Sequence, residues 1–549
     1  MRGWGLGRLG LTHFDEGIYA LAGLWSLSPG GIGAISPGLI PYAPPGFVIL
    51  VGMAYGVLGA SDFAAIAVSQ VVGVATIPTV AWVAGRSFGP RAGLAAAALA
   101  ASSGAHVAFS RMALTDVSFL LAWLVALGAG QMLLERPGPG RAIRLGMAVG
   151  LAQQVKYNGW LAGAIVALAA LAGLVAEPEE RRPSRWLRVF GWGMFAAAVA
   201  SLVVLPWYRF VENHGGYAGL LRHQRSYLGG ANLWPGHLDQ QFRQAIALSG
   251  GWSLGLAGWG LAAIFVLSAV AGDRNGAGGR LRPILGGVLG PILANLPWWI
   301  ALGTLPRRIG DRAPGVRLLG VAWAVLAILT PFYHPYARLW LPLHALGWIL
   351  TAGWMGSVVP IGIRSESGPQ PGESSPGRPA RWTPAAIAWS VAVCVGCLGS
   401  HASLATRSHA IAGLFDPSDS VRLAVDRLSA RLPEDVTALD FLGRPSVTFY
   451  LGSRIALRTR DGLEAMSRPS GPGIWGLYDS GIAGGPGEST SLPPELDERW
   501  EVVASEMTSL SLPTLLDVHP DAPRSEASAS AMRRAPLLLL RPRRAGSLR

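Results

Sequence analysis

The residues best suited to chemistry are few and lie far apart along the chain. Asp15 and Glu16 are adjacent carboxylates. On any regular backbone they point in different directions, so one can act as a base while its neighbour orients a sugar or an ion. Lys156 is the only lysine among 45 basic residues. With every other cation an arginine, position 156 reads as one that needs a compact ammonium rather than a planar guanidinium; the alternative is a side chain snorkelling from a helix end to a membrane interface. Arg111 and Asp116 bracket RMALTD at 111–116, where a structural ion pair is the plainer reading. The segment YHPYAR at 333–338 brings Tyr336 and Arg338 together, as an aromatic belt at a membrane surface also would.

What positions these groups is a membrane domain. The chain has 549 residues, 51% hydrophobic and 14% charged, with a mean hydropathy of +0.37, too apolar for a soluble protein of this length. About eleven apolar stretches could cross or enter a bilayer, at 63–85, 92–109, 117–134, 145–155, 160–175, 189–207, 252–271, 285–302, 318–330, 339–359 and 385–398. Several are shorter than the roughly 20 residues a hydrocarbon core needs, so their helices must extend into the flanks.

Charge sets the orientation. Arginines follow the first stretch (Arg86, Arg91), the third (Arg136, Arg141, Arg144) and the fifth (Arg181, Arg182, Arg185, Arg188), which places every second loop in the cytoplasm by the positive-inside rule. The net charge of +13 is then accounted for by anchoring to anionic lipid, with no need for nucleic acid as a partner. The alternate loops, carrying 111–116, Lys156 and 208–251, face outward. Positions 47–60 would span only about 21 Å as a helix and read as an interfacial segment, with Asp15 and Glu16 outside, upstream of it. Residues 1–12 are neither a signal peptide nor a span, so an authentic first helix is expected ahead of them.

Two basic loops around 273–282 and 307–317 are separated by one apolar stretch, around Pro291, which must be re-entrant or broken. The Pro/Gly/Ser-rich 362–384 reads as a flexible inside loop, and the last span exports the C-terminus. Residues 1–400 thus form the membrane domain and 401–549 an extracytoplasmic α/β domain with a disordered basic tail. Within the latter, 421–432 has helical spacing, and 436–442, 446–451, 474–478, 500–503 and 536–540 read as strands. Cys394 and Cys397 lie inside the last apolar stretch with no second pair, so packing is the better account of them. His214, His223 and His237 show no metal-ligand spacing. The fold expected is all-α and polytopic, with a small C-terminal α/β domain.

Four short motifs now carry a resemblance: FDEGIY at 14–19, YAPPG at 42–46, RMALTD at 111–116 and GLAQQVK at 150–156. In this order and at these spacings the chain resembles the GT-C membrane glycosyltransferases, nearest to protein O-mannosyltransferases and the aminoarabinose transferases of lipid A. The resemblance covers most of the first 210 residues, and the 333–338 segment and the C-terminal domain also fit. It implies inverting transfer of a mannose-like sugar or a pentose from a polyprenyl phosphate donor to a protein, lipid or glycan acceptor at the outer face, in a multi-pass protein of the bacterial inner membrane. Asp15 matches the family's first-loop acidic residue and Lys156 a lysine near the lipid phosphate. Two departures stand out: Ala43 occupies the place of a lysine before the double proline, and the family's opening membrane helix is absent.

On this reading Asp15, or failing it Glu16, takes the proton of the acceptor hydroxyl. Lys156, Arg111 and Arg338 offset the charge that builds on the departing phosphate. Asp116, Tyr336 and Tyr19 complete the substrate-binding set. No cofactor is required, and a divalent cation at Asp15 and Glu16 stays an open expectation. Two other readings compete. A transporter or lipid flippase would scatter ionisable groups at mid-membrane, within inverted repeats; here they crowd one face, beside a soluble domain. A scaffold that lost its site with the first helix is the other.

Overall fold

The computed structural model describes residues 10–27, 43–176, 183–248 and 313–358. In the C-terminal part it describes 420–451, 455–460, 462–468, 471, 473–480, 492–511, 514, 516–517 and 534–543. The apolar stretches at 252–271, 285–302 and 385–398, the break at Pro291, the 362–384 loop, Tyr42, Cys394, Cys397, the domain boundary near 401 and the basic tail beyond Arg543 lie outside the described residues; Arg541 and Arg543, expected in a disordered tail, instead lie at the end of the last strand and pair with Glu501 and Asp497.

The membrane part opens with helix α1, Phe14–Ser26, then α2, Pro45–Leu58, and α3, Asp62–Phe88. It continues through α4, Pro90–Ser102, α5, Gly104–Phe109, α6, Thr115–Glu135, α7, Pro139–Val155, α8, Leu161–Ala176, and α9, Pro183–Asn213. Helices α10, Gly216–Arg225, and α11, Trp234–Leu248, follow, then α12, Pro314–Leu329, and α13, Leu341–Val358. Among the described residues, the helices at Asp62–Phe88, Thr115–Glu135, Trp186–Asn213 and Pro314–Phe332 are long and apolar enough to cross a membrane. At 1.5 Å per residue α6 reaches about 31 Å, the depth of a hydrocarbon core.

Three of the apolar stretches change shape. The second does not run as one helix: Ser103 leaves the helical region (φ −67°, ψ 118°) and its hydroxyl accepts the His106 N–H, ending α4 and starting α5. The fourth and sixth grow, to 17 and 31 residues. Helix α2 is short, at 14 residues, and packs on α1.

The long helices have unlike ends. Helix α3 starts at Asp62, which meets Arg422 and Tyr450 of the C-terminal domain, and ends near Arg86, which pairs with Glu135 at the end of α6. The start of α6 carries Asp116, paired with Lys156 at the end of α7. The basic turns and the motif residues therefore occupy opposite ends of the bundle.

Among the described residues the C-terminal part forms a five-stranded sheet of order β2-β1-β3-β5-β4. Helix α14, Val421–Ser429, precedes β1, Ala438–Leu442; α15, Pro445–Leu451, leads to β2, Ala456–Thr459. Helix α16, Leu463–Met466, β3, Ile474–Asp479, α17, Pro494–Asp497, β4, Trp500–Ser509, and β5, Arg534–Pro542, complete it. β1 pairs in parallel with β2 and β3, while β5 runs antiparallel to β3 and β4. The segment at 446–451 is thus a helix, not the strand its Val, Thr, Phe and Tyr suggest. Parallel β1 and β2 need a crossover between them, and that topological demand outweighs local β-propensity. Strand β2 was not legible: its burial pattern shows little of the apolar alternation by which a strand is recognised.

Candidate functional site

The site begins with a helix cap. His13 is the N-cap of α1, and its Nδ1 accepts the backbone N–H of Asp15 at 3.0 Å. Glu16, three residues on, reaches back: its Oε2 accepts the N–H groups of Thr12 and His13, both at 2.8 Å, and the Thr12 hydroxyl at 3.2 Å. Its Oε1 accepts the Ala113 N–H at 2.8 Å. This reciprocal capping box, with histidine in the usual serine or threonine position, fixes the start of α1 and ties it to the loop before α6. Asp15 and Glu16 therefore sit on a helix. Asp15 faces a cavity of about 890 Å³ that Glu16 does not line.

Close packing sets where α1 lies. A Cβ on Gly17 would come within 2.1 Å of the Ser446 backbone nitrogen, so only glycine lets α15 approach this near. A Cβ on Gly46 would meet the Gln154 carbonyl at 2.6 Å, which gives the YAPPG motif a physical meaning: it seats α2 against the turn that presents Lys156.

Across the cavity from α1, Lys156 caps α7, with its Nζ 2.5 Å from Asp116 Oδ1. The ammonium also lies 5.9 Å from the Phe119 ring centroid. Asp116 is buried and its Oδ2 has no hydrogen-bond partner. The third wall is the strap 333–338. Gly229 donates to the Phe332 carbonyl at 2.7 Å and His334 to the Tyr227 carbonyl at 2.8 Å, pinning the strap to the turn after α10. Tyr227, Tyr333 and Tyr336 cluster there, the first two stacked at 5.8 Å. Arg338 emerges beneath them, its guanidinium 5.0 Å from the Tyr336 ring and its Nη1 2.5 Å from Asp15 Oδ2.

Of the residues singled out in the sequence, Asp15, Tyr19, Asp116, Lys156, Tyr336 and Arg338 all line this cavity. Glu16 and Arg111 do not. Glu16 is wholly buried, its carboxyl raised above the usual range by desolvation even though backbone N–H groups oppose the shift. Arg111 is also buried, two residues before Ala113, its pKa lowered to about 10 by burial. A cation shared by Asp15 and Glu16 does not suit this geometry, because both Glu16 oxygens are occupied by backbone donors and Asp15 is held by Arg338. Among the described residues no group of three or more His, Cys, Asp or Glu side chains could hold a metal ion.

Sequence reasoning missed three contributors. His13 carries a signal in hindsight, the x-x-Glu spacing of a capping box. Asp517, from the C-terminal domain, accepts from His13 Nε2 at 3.0 Å and Arg338 Nε at 3.2 Å, and no local pattern marks it. Tyr227 has none either, since its place depends on the strap 106 residues later. Burial pulls the His13 pKa down, but the Asp517 hydrogen bond and the Asp15 charge outweigh it and the net shift is upward.

A second cavity, of about 580 Å³, opens among α7, α8, α9 and the ends of α6 and α12. Apart from Ser201 and Arg317 its walls are apolar, running along α8 from Trp160 to Leu174. Its upper end adjoins the turn of Tyr157, Asn158 and Leu161, which line the first cavity.

Residues 42–209 match the family described as dolichyl-phosphate-mannose-protein mannosyltransferase. No curated protein sequence matches the chain. Among solved structures it superposes on ArnT from Cupriavidus metallidurans bound to undecaprenyl phosphate, with a TM-score of 0.55 at 13% identity, over 97% of this chain and 95% of that one. The apo state of the same protein gives 0.53 at 13% identity, with the same coverage. The archaeal oligosaccharyltransferase AglB from Archaeoglobus fulgidus, in complex with an inhibitory peptide and a dolichol-phosphate, gives 0.51 at 12% identity, over 86% of this chain and 66% of that one. The chain has the GT-C fold, as the four motifs implied.

Proposed function

We propose, from the GT-C fold and the residues that meet in its cavity, that the chain is an inverting glycosyltransferase using a polyprenyl phosphate sugar as donor. The observation that carries this reading is that Asp15, a buried carboxylate lining the cavity, shares it with Lys156 and Arg338, and that this cavity adjoins an apolar slot. Asp15 lies in the 890 Å³ cavity with Arg338 and Lys156, and the slot beginning at Trp160 is fit for an isoprenoid chain. A phosphate at the Lys156 turn would join the two.

In the proposed step the acceptor oxygen attacks the anomeric carbon, and its proton passes to Asp15. The bond from the anomeric carbon to the phosphate oxygen breaks, and its electron pair leaves with the phosphate. Lys156 lies where it can shift from Asp116 toward that growing charge, a stabilisation stronger in the transition state than before it. Glu16 holds the start of α1 and takes no proton. The sugar is a mannose-like hexose or a pentose, the acceptor a protein, lipid or glycan at the outer face, and the chain a multi-pass protein of a bacterial inner membrane.

The experiment is transfer itself. Membranes containing the chain are incubated with radiolabelled mannosyl- and pentosyl-polyprenyl phosphates. Label should move from the lipid fraction into an acceptor that depends on the chain. Label that stays entirely in the donor lipid, or crosses the membrane still attached to it, would favour the flippase reading instead.

A further inference from the structure

The cavity wall opposite the membrane helices belongs to the C-terminal domain, and one of its side chains is tied into the chemistry. Asp517 is 7% exposed. Its Oδ2 accepts from Arg338 Nε and from His13 Nε2, while Oδ1 has no hydrogen-bond partner. Arg338 turns its other edge to Asp15 and rests on the Tyr336 ring. The guanidinium plane is thus fixed at three places, by two carboxylates from two domains and by an aromatic face. His13 closes the circuit. Its Nδ1 accepts from the Asp15 N–H, so in this geometry the ring proton sits on Nε2, aimed at Asp517.

We propose that Asp517 is a positioning residue for Asp15, acting through Arg338 and His13; the proposal rests on the reading of Asp15 as the base. An arginine bound to a single carboxylate moves with it. One anchored on a second carboxylate keeps its place, and so keeps Asp15 aimed at the acceptor. The second negative charge also shares the Arg338 cation, so that Asp15 is not its sole counter-ion. The other groups facing this circuit include Glu16 and Tyr19 from α1, Asp116 and Lys156 from the α6 and α7 ends, Tyr227 from the turn after α10, Tyr333, His334 and Tyr336 from the strap, and Arg444 from the C-terminal domain. None of them bridges the two domains as Asp517 does. The C-terminal domain is by this account part of the site, with Asp517 supplying the bridge.

The test uses the full chain in membranes and in detergent. Asp517→Asn should lower sugar transfer by about 10- to 100-fold, the range a small misplacement of a reacting group produces. Binding of undecaprenyl phosphate to the purified variant should stay within about twofold of wild type, because the Lys156 turn is untouched. Asp517→Glu should recover part of the loss. A second variant guards against misfolding: His13→Asn keeps a good helix cap but removes the tie to Asp517, and should lose transfer by a smaller factor, again with lipid binding intact. Wild-type transfer in Asp517→Asn, or a loss of lipid binding as large as the loss of transfer, overturns the proposal. Asp15→Asn run alongside separates the two ideas. Full transfer in Asp15→Asn removes the base reading, whereas an inert Asp15→Asn beside a fully active Asp517→Asn removes only the positioning role.

Discussion

Helix α6 carries a carboxylate ion pair at each end, and the two pairs are unlike. At one end Asp116 meets Lys156, with side-chain exposures of 2% and 24%. At the other Glu135 meets Arg86, at 27% and 35%. Glu135 is also bonded by Gln131, and water reaches both partners. Asp116 keeps an oxygen with no donor at all. A pair in water contributes little and serves to anchor a helix end, whereas a desolvated pair with unmet hydrogen-bonding capacity is costly unless something else uses it. Two ends of one helix, each with a carboxylate–cation pair, are thus set up for different work by their burial and by the cation each carries.

The comparison can be broken by substitution at either end. Lys156→Ala should show the largest effect: undecaprenyl phosphate binding weaker by a factor of about 10 to 150, the loss of one charge-assisted hydrogen bond. It also strands Asp116, so a lower thermal midpoint should accompany the change. Glu16→Gln is next. An amide would set N–H against backbone N–H on one side of the capping box, and the cost should be about 1.5 to 3 kcal/mol of stability. Thermal unfolding in detergent would record it, with lipid binding by the folded fraction unchanged. A Glu16→Gln protein that is stable but inactive would instead return Glu16 to the chemistry.

Lys156→Arg should fall between wild type and Lys156→Ala in transfer, since a planar fork places its protons differently from an ammonium. Equality with wild type would revive the snorkelling account, in which any cation at a helix end suffices. Arg86→Ala should be nearly silent, about 0 to 1 kcal/mol in stability, with lipid binding and transfer unaffected. A loss there comparable to that of Lys156→Ala would erase the distinction between the two ends.

How much of this was legible in the sequence follows from the range of the forces involved. Hydropathy and arginine spacing are local, so the long helices and the separation of basic turns from motif residues could be read directly. The lone lysine, Lys156, and the adjacent carboxylates at 15 and 16 stood out by type. Their division of labour did not, because histidine in the usual serine or threonine place hides the local capping box, and the donor that occupies the other Glu16 oxygen, the Ala113 N–H, is 97 residues away. Arg111 was misplaced for a similar reason: a cation inside a motif looks exposed until the loop is seen folded under α1. Asp517 was invisible, since only the docking of two domains brings it to Arg338. The strand assignment at 446–451 failed where the topology of a parallel sheet overrode the preference of β-branched and aromatic residues.

The central claim is that Asp15 accepts the acceptor's proton while the rest of the site binds the donor without it. The most direct measurement compares Asp15→Asn with wild type in two assays on the same purified protein, undecaprenyl phosphate binding and transfer of labelled sugar from its polyprenyl phosphate in reconstituted native membranes. Lipid binding within about twofold of wild type and transfer reduced by about 10² or more is the predicted result. An Asp15→Asn protein that binds the lipid and still transfers more than about a tenth as fast would contradict it.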